Sequence, residues 1–192
     1  MKGQDNVHLV RHGETAWSIT GQHTGRTDLA LTSRGEDQAR ALGPRLKDLK
    51  FDHVLSSPLR RALRTCELAG FAAQAVLDPG LLEWDYGDYE GRTLADIHRE
   101  RPDWELFRDG CPGGESVLQI TERVDQVVAR LRALDGNVLI FSSGHVLRTL
   151  GARWIEGAAA LGRRLMLDTT HICVLGFDHG GKDSVIRLWN EG

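Results

Sequence analysis

Three short polar exits and one acidic run hold the residues of this chain that could do chemistry. Arg11 and His12 follow the apolar run Val7 to Val10. Arg60 and Arg61 follow Val54, Leu55 and the exit Ser56, Ser57, Pro58, and His145 follows Val138 to Phe141 and the exit Ser142, Ser143, Gly144. Guanidinium forks match phosphate oxygens in shape and charge and stay protonated at any working pH, so the anion that suits such a gathering is a phosphate. A single Arg-His pair after a strand is ordinarily a solvated loop. Three exits shift the weighing, because separate loops have no packing reason to collect cations that repel one another without an anion between them.

A histidine flanked by arginines is discouraged from taking a proton, so His12 should keep a nitrogen lone pair near neutral pH. That lone pair can attack phosphorus in line and form a phosphohistidine, splitting one hard displacement into two easier ones. Arg11, Arg61 and His145 would then hold the equatorial oxygens as charge redistributes. The departing alkoxide needs a proton, and the densest group of acids lies in LLEWDYGDYEG, with Glu83, Asp85, Asp88 and Glu90. Most acidic runs are solvated loops. Glu83 differs in following Leu81 and Leu82, an apolar approach that is expected to desolvate it and raise its pKa, which makes it the expected general acid.

The elements that must position these groups can be read from the period of the apolar residues. Val7 to Val10, Val54 to Leu55 and Val138 to Phe141 read as buried strands that stop at small polar residues. Between them, Ala39, Leu42, Leu46 and Leu49 recur at helical spacing behind an expected S-x-x-E capping box of Ser33 and Glu36. A second helix carries Leu59, Ala62, Leu63, Cys66 and Ala69, with Pro58 expected in its first turn. A long third helix runs from near Glu115 and Ser116 to Gly136 through Val117, Ile120, Val124, Val127, Leu131 and Leu134. Ile172 to Phe177 and Val185 to Trp189 read as a closing hairpin. Alternating strands and helices predict an α/β sandwich with a largely parallel sheet, and in such sheets ligands sit outside the carboxyl ends of the strands.

At 192 residues the chain fits one domain, and 41% hydrophobic with 27% charged residues argues against disorder or a disulfide-stapled fold. No linker or repeat divides it, so 1–192 reads as a single domain, with the irregular segment 78–115 as an inserted, substrate-covering piece. Twenty-four Lys and Arg against 27 Asp and Glu leave a net charge of −3, which gives no support to nucleic acid as a partner. Cys66, Cys111 and Cys173 form no C-x-x-C pair and suit small buried residues in a reducing compartment. The opening MKGQDNVHLV has no apolar core for export, and no stretch is long enough to span a membrane, so the expected location is cytoplasmic.

Together the motifs resemble the histidine phosphatase superfamily, the phosphoglycerate mutase-like fold. RHGET at 11–15 is similar to its signature, SSPLRRALRTCELA at 56–69 to its second motif, LLEWDYGDYEG to its acid-bearing segment and SSGHVLR at 142–148 to its last. The resemblance implies a three-layer α/β/α sandwich, a phosphohistidine at His12, a proton donor at Glu83, and a phosphate pocket of Arg11, Arg61 and His145, with no metal and no cofactor. TGRTDLALTSRGEDQA at 24–39 extends it and places Thr24 and Gly25 at the pocket, and Ser18, after the Trp of the first motif, is expected there as a further phosphate-binding residue. Where mutases commonly have Asn after the Trp of the first motif, this chain has Ser18, and it ends soon after the hairpin without a long tail; both features favour hydrolysis over phosphoryl return. SITGQHTGRTDLALT and EWDYGDYEG are similar to enzymes acting on sugar phosphates, which makes a small phosphorylated metabolite the expected substrate. Its specificity would come from His23, Arg26, Trp84, Tyr86 and the loop around Arg99 and Arg101.

Other readings compete. A cofactor-dependent phosphoglycerate mutase is the nearest rival, and a non-catalytic phosphate-binding module is the rival from another class. GFDHGGKDS at 176–184 has P-loop spacing, but Asp183 stands where Ser or Thr is required, and a strand follows. His8 and His12 with the acidic run could suggest a metal site, opposed by the cations at Arg11 and Arg61. Ser142 and Ser143 near His145 lack the G-x-S-x-G frame of a serine hydrolase. Oligomeric state stays open in the sequence, a homodimer included.

Overall fold

A computed structural model describes residues 5–192. The first four residues, part of the segment on which the export reading rests, lie outside the described residues. Six strands form one sheet in the order β3-β2-β4-β1-β5-β6: β1 (Val7–Arg11), β2 (His53–Ser56), β3 (Ala75–Leu77), β4 (Val138–Ser142), β5 (Ile172–Asp178) and β6 (Asp183–Glu191). The first four are mutually parallel. β5 runs antiparallel to both β1 and β6, so it alone opposes the rest, and the sheet is mixed but largely parallel as expected.

The period of two sorts the strand residues between two cores. Val7, Leu9, Val138 and Ile140 pack with α6 (Val117–Ala133) and α7 (Gly144–Trp154) on one face. Val10, Val54, Leu139 and Phe141 pack on the other with α2 (Ser33–Leu46) and α3 (Arg60–Leu68). A slip of one residue would exchange the two sets, so burial on both faces fixes the register. This is the three-layer α/β/α arrangement. In that register Arg11 lies opposite Ser142 and Ser56 opposite Phe141, which brings three strand exits to one sheet edge.

Two helix starts differ from expectation. α2 is capped by Thr32, whose hydroxyl accepts from the Gly35 N–H at 3.0 Å, because Ser33 already lies in the first turn and Glu36 turns outward to Arg40 and Arg64. Leu49 falls beyond that helix and is exposed. α3 is entered through Leu59, so Pro58 precedes the helix, and Asp28 from a distant loop accepts the Arg60 N–H at 2.7 Å. α6 begins as expected, with Ser116 and Gln119 forming a capping box. The hairpin turn spans His179 to Lys182 and leads into β6, so GFDHGGKDS builds no phosphate loop.

Residues 78–115 are more ordered than their composition suggests. They form turns of 3-10 helix at Pro79–Leu81 and Gly87–Tyr89, then α4 (Leu94–Glu100) and α5 (Leu106–Asp109). Leu81, Trp84, Tyr86, Ile97, Trp104 and Phe107 from this segment are buried in the core shared with α6 and α7. Helix α1 (Ala16–Thr20) follows the first polar exit, and 3-10 turns also lie at Ala72–Gln74 and Ala159–Arg164. The three cysteines are free and buried, and burial pushes each thiol up to about 12. Among the described residues, no helix is long and apolar enough to cross a membrane.

Candidate active site

The edge where β1, β2 and β4 end opens on a cavity of about 190 Å³ whose walls include Arg11, His12, Thr24, Glu83, His145 and Arg148. His12 leaves β1 with its N–H on the Ser142 carbonyl at 2.9 Å. The next residue must be glycine: a Cβ on Gly13 would stand 2.4 Å from the Gly35 carbonyl oxygen, so the loop could not close on the start of α2. The Gly13 N–H is pinned by the Thr65 hydroxyl at 3.0 Å.

The His12 ring is buried and its Nδ1–H donates to the Gly13 carbonyl at 2.8 Å, which leaves Nε2 with the lone pair. Burial, then the positive charges of Arg61 and Arg11, hold its pKa well below the ordinary value, so the ring is neutral. Arg11 donates from Nη1 to the Leu167 carbonyl at 2.6 Å, while its Nε, also buried, has no partner among the described residues. An unpartnered buried guanidinium N–H beside a neutral imidazole asks for an anionic oxygen.

His145 occupies the first turn of α7. Its Nδ1 and the Tyr86 hydroxyl are 2.6 Å apart. Burial first, then Arg148, His23 and Arg11, lower the His145 pKa well below its usual value, while burial and the Glu83 charge raise that of Tyr86. Both groups are therefore neutral. Because the hydroxyl has no other acceptor among the described residues, Tyr86 donates to Nδ1, and the His145 proton sits on Nε2.

Glu83 is buried, as Leu81 and Leu82 foretold, but its surroundings are not simply apolar. Oε1 accepts from the Trp84 and Val146 N–H groups, both at 2.8 Å, and Oε2 from the His145 N–H at 3.0 Å. Ser143 provides no side-chain cap for α7, so the carboxylate does that work. Arg123 holds the segment from behind, donating to the Gly80 and Leu82 carbonyls at 2.8 Å each and to Glu115 at 2.7 Å.

Other expected positions are placed differently. Arg61 is fully buried and spends its donors on the carbonyls of Thr24, Gly25 and Thr27 and on the Ser143 hydroxyl. It fixes the 24–27 loop and leaves one Nη1 hydrogen unassigned. Thr24 lines the cavity, whereas the Gly25 N–H is turned away to the Glu90 carboxylate at 2.9 Å. Ser18 lines it too, yet its hydroxyl donates to the Thr15 carbonyl and accepts from the Thr15 N–H, closing the cap of α1. Arg60 is exposed and belongs to a separate surface groove.

Among the expected specificity residues, His23 and Tyr86 reach the cavity. Trp84 is core, Arg26 and Arg99 pair outward with Asp85 and Asp96, and Arg101 donates to the Tyr89 hydroxyl. Sequence reasoning assigned no role to Arg148 or Arg123. His8 meets the Phe51 ring in a T-shaped contact, and among the described residues no three His, Cys, Asp or Glu converge as metal ligands. Ser142 donates to the Leu81 carbonyl and Ser143 accepts from Arg61, so neither is paired with a histidine base.

The profile of the histidine phosphatase superfamily (branch 1) matches residues 7–192. The chain belongs to that superfamily. This histidine phosphatase is 45% identical over 177 residues to a Mycobacterium tuberculosis acid phosphatase, covering 90% of this chain and 86% of that one. It is 35% identical to a Saccharomyces cerevisiae sedoheptulose 1,7-bisphosphatase, over 76% of this chain and 66% of the yeast protein. A further relative, from Erwinia tasmaniensis, is named a probable phosphoglycerate mutase and is 37% identical over 84% of this chain and 80% of its own. In three dimensions the histidine phosphatase is similar to the solved structure of an open reading frame product of Mycobacterium tuberculosis, with a TM-score of 0.92 and 40% identity over 98% of both chains.

Proposed function

We propose that this histidine phosphatase hydrolyses phosphate monoesters of small metabolites, sugar phosphates among them, in two displacements at His12 and without a metal. The observation that carries this reading is the buried His12 ring. Its Nδ1–H is committed to Gly13, its Nε2 is bare, and the unpartnered Arg11 Nε lies at the same cavity.

In the first displacement the Nε2 lone pair attacks phosphorus, the ester P–O bond breaks, and the leaving oxygen takes a proton from Oε2 of Glu83. Among the described residues that oxygen accepts one main-chain bond, from His145, and so has a lone pair left to carry the proton. In the second, Glu83 takes a proton from water, the hydroxide forms a P–O bond as the P–N bond breaks, and inorganic phosphate leaves. Arg11 Nε and the His145 Nε2–H hold the phosphoryl oxygens. Arg61 adds its charge and its remaining hydrogen while holding Thr24 at the wall. Ser18 lines the pocket with its hydroxyl committed to the Thr15 backbone, and Gly25 acts one step back, through its carbonyl on Arg61 and its N–H on Glu90.

The chain acts as one domain in which residues 78–115 cover the ester and contribute Glu83 and Tyr86. The three free cysteines suit a cytoplasmic setting. Hydrolysis is favoured over phosphoryl return because the relative named as an acid phosphatase is 45% identical and the one named as a mutase 37%. The yeast relative's name supports a sugar phosphate as the leaving group. The test is phosphate release from a panel of sugar phosphates, phosphoglycerate and nucleotides, with a chelator present, by wild type and His12→Ala. Release by wild type alone supports the reading. Isomerisation of phosphoglycerate that requires a bisphosphate primer, or loss of activity with the chelator, overturns it.

A further inference from the structure

His23 is held by the segment that covers the site. Its N–H donates to the Arg92 carbonyl at 2.9 Å, its carbonyl accepts from the Gly91 N–H at 2.9 Å, and its ring Nδ1 lies 2.8 Å from that same Arg92 oxygen. Three rings box the imidazole. Tyr86 and Trp104 meet it in T-shaped contacts at 4.8 and 5.7 Å between centres, and His145 lies nearly parallel to it at 6.3 Å. The side chain is thereby fixed where it lines both the phosphate cavity and a second chamber of about 560 Å³ beside it.

A carbonyl oxygen only accepts, so Nδ1 of His23 carries the hydrogen. Burial holds the His23 pKa below its ordinary value, outweighing the Arg92 bond and the charges of Glu83 and Glu90 that raise it. The ring is therefore neutral near pH 7. Its Nε2 is a bare acceptor with no partner among the described residues.

That polarity is opposite to the groups that meet the phosphate. Arg11 Nε and the His145 Nε2–H are donors, and a phosphate monoester near neutral pH, mostly a dianion, offers only lone pairs. A bare imidazole nitrogen cannot bond such oxygens. What satisfies it is a donor, and with the phosphate placed on Arg11 and His145 that donor belongs to the leaving group. An ammonium would share the cavity with the positive charges of Arg11 and Arg148, which repel it. A hydroxyl donates without that cost.

On the phosphatase reading above, we propose that His23 Nε2 accepts a hydrogen bond from a hydroxyl of the leaving group close to the ester. The enzyme thereby selects hydroxylated leaving groups over their deoxy counterparts and over amines, a specificity role separate from the proton transfers of Glu83.

Phosphate release is measured for glycerol phosphate, propyl phosphate and phosphoethanolamine, whose leaving groups carry hydroxyls, no further polar group or an ammonium. Nitrophenyl phosphate serves as a fourth ester that reports the phosphoryl chemistry alone. Water can stand in for a missing hydroxyl, so wild type should favour glycerol phosphate over propyl phosphate by about 2–10-fold in kcat/KM, the worth of one neutral hydrogen bond. His23→Phe, which keeps a ring and loses the acceptor, should shrink that ratio by the same factor. His23→Gln, whose amide oxygen can accept in place of Nε2, should keep part of it. Equal losses on the two esters with the ratio unchanged, a wild type without the preference, or a wild type that favours the amine would overturn the proposal. Where His23→Phe does not fold, the wild-type ratio and His23→Gln decide. Release from nitrophenyl phosphate with no preference among the other esters removes the hydroxyl contact alone, whereas release from none of the four removes the phosphatase reading with it.

Discussion

Replacing Glu83 with Gln separates its two roles, proton donor and cap. Either oxygen position of the native carboxylate accepts main-chain N–H bonds, from Trp84 and Val146 on one side and His145 on the other. A Gln amide can match only one side, so its NH₂ must oppose at least one buried N–H. An unsatisfied buried donor costs about 1–3 kcal/mol. At roughly 2–4 °C per kcal/mol for a chain of this size, Tm should fall by about 2–12 °C. Loss of the general acid should lower kcat by about 10²–10⁴ on an alkyl phosphate. On a nitrophenyl phosphate, whose leaving group departs without a proton, kcat should fall far less. Steady-state rates on both esters and a melting curve read the two effects independently. An equal fall on both esters would contradict proton donation, and an unchanged Tm would contradict the capping role.

Tyr86→Phe removes the donor that assigns the His145 proton to Nε2, and kcat/KM should drop about 2–10-fold, the worth of one hydrogen bond. Nitrogen NMR should then report mixed His145 tautomers; an unmixed Nε2–H form would contradict the assignment. His12 and His145 are held well below 6.5, chiefly by burial. Below pH 6.5 the unfolded chain binds protons that the folded protein refuses. Stability should therefore fall with pH from 6.5 down to the folded values and show no such dependence above, each histidine adding up to about 1.4 kcal/mol per pH unit. His12→Asn should flatten the plot of Tm against pH in that window, and an unaltered slope would refute this. Arg61 serves four acceptors and Arg11 one, so Arg61→Met should lower Tm by roughly 6 °C or more, whereas Arg11→Met should chiefly abolish the Tm rise given by inorganic phosphate. Equal melting losses would contradict that division of labour.

What the sequence made legible is what depends on local period and on chain exits. The alternation of Val138, Leu139, Ile140 and Phe141 encoded a strand buried on both faces, and the polar residues after β1, β2 and β4 marked one sheet edge. The motifs that resemble the superfamily lie within residues 7–192, the span over which the chain matches it. Less legible was the direction in which a side chain or an N–H turns, because that is decided by partners far away in the chain. The Gly25 N–H is claimed by Glu90, 65 positions on, and the Ser18 hydroxyl by the Thr15 backbone that it caps. Arg61 could be foreseen as a cation but not as the clasp of the 24–27 loop. Arg148 gave no signal beyond its place in the last motif, since its position on the cavity wall depends on Gly162, Arg163 and Phe107 meeting around it. The shift of the α2 cap from Ser33 to Thr32 is a smaller case: both residues can cap, and the entry angle set by the Thr32 N–H on the Glu14 carbonyl decides between them.

The claim on which the rest depends is that the bare Nε2 of His12 takes the phosphoryl group. Enzyme quenched during turnover of a phosphorus-labelled ester, digested and sequenced by mass spectrometry should carry an acid-labile label on His12 alone, and His12→Ala should carry none. Label on any other side chain, or turnover with no labelled enzyme at all, would contradict it.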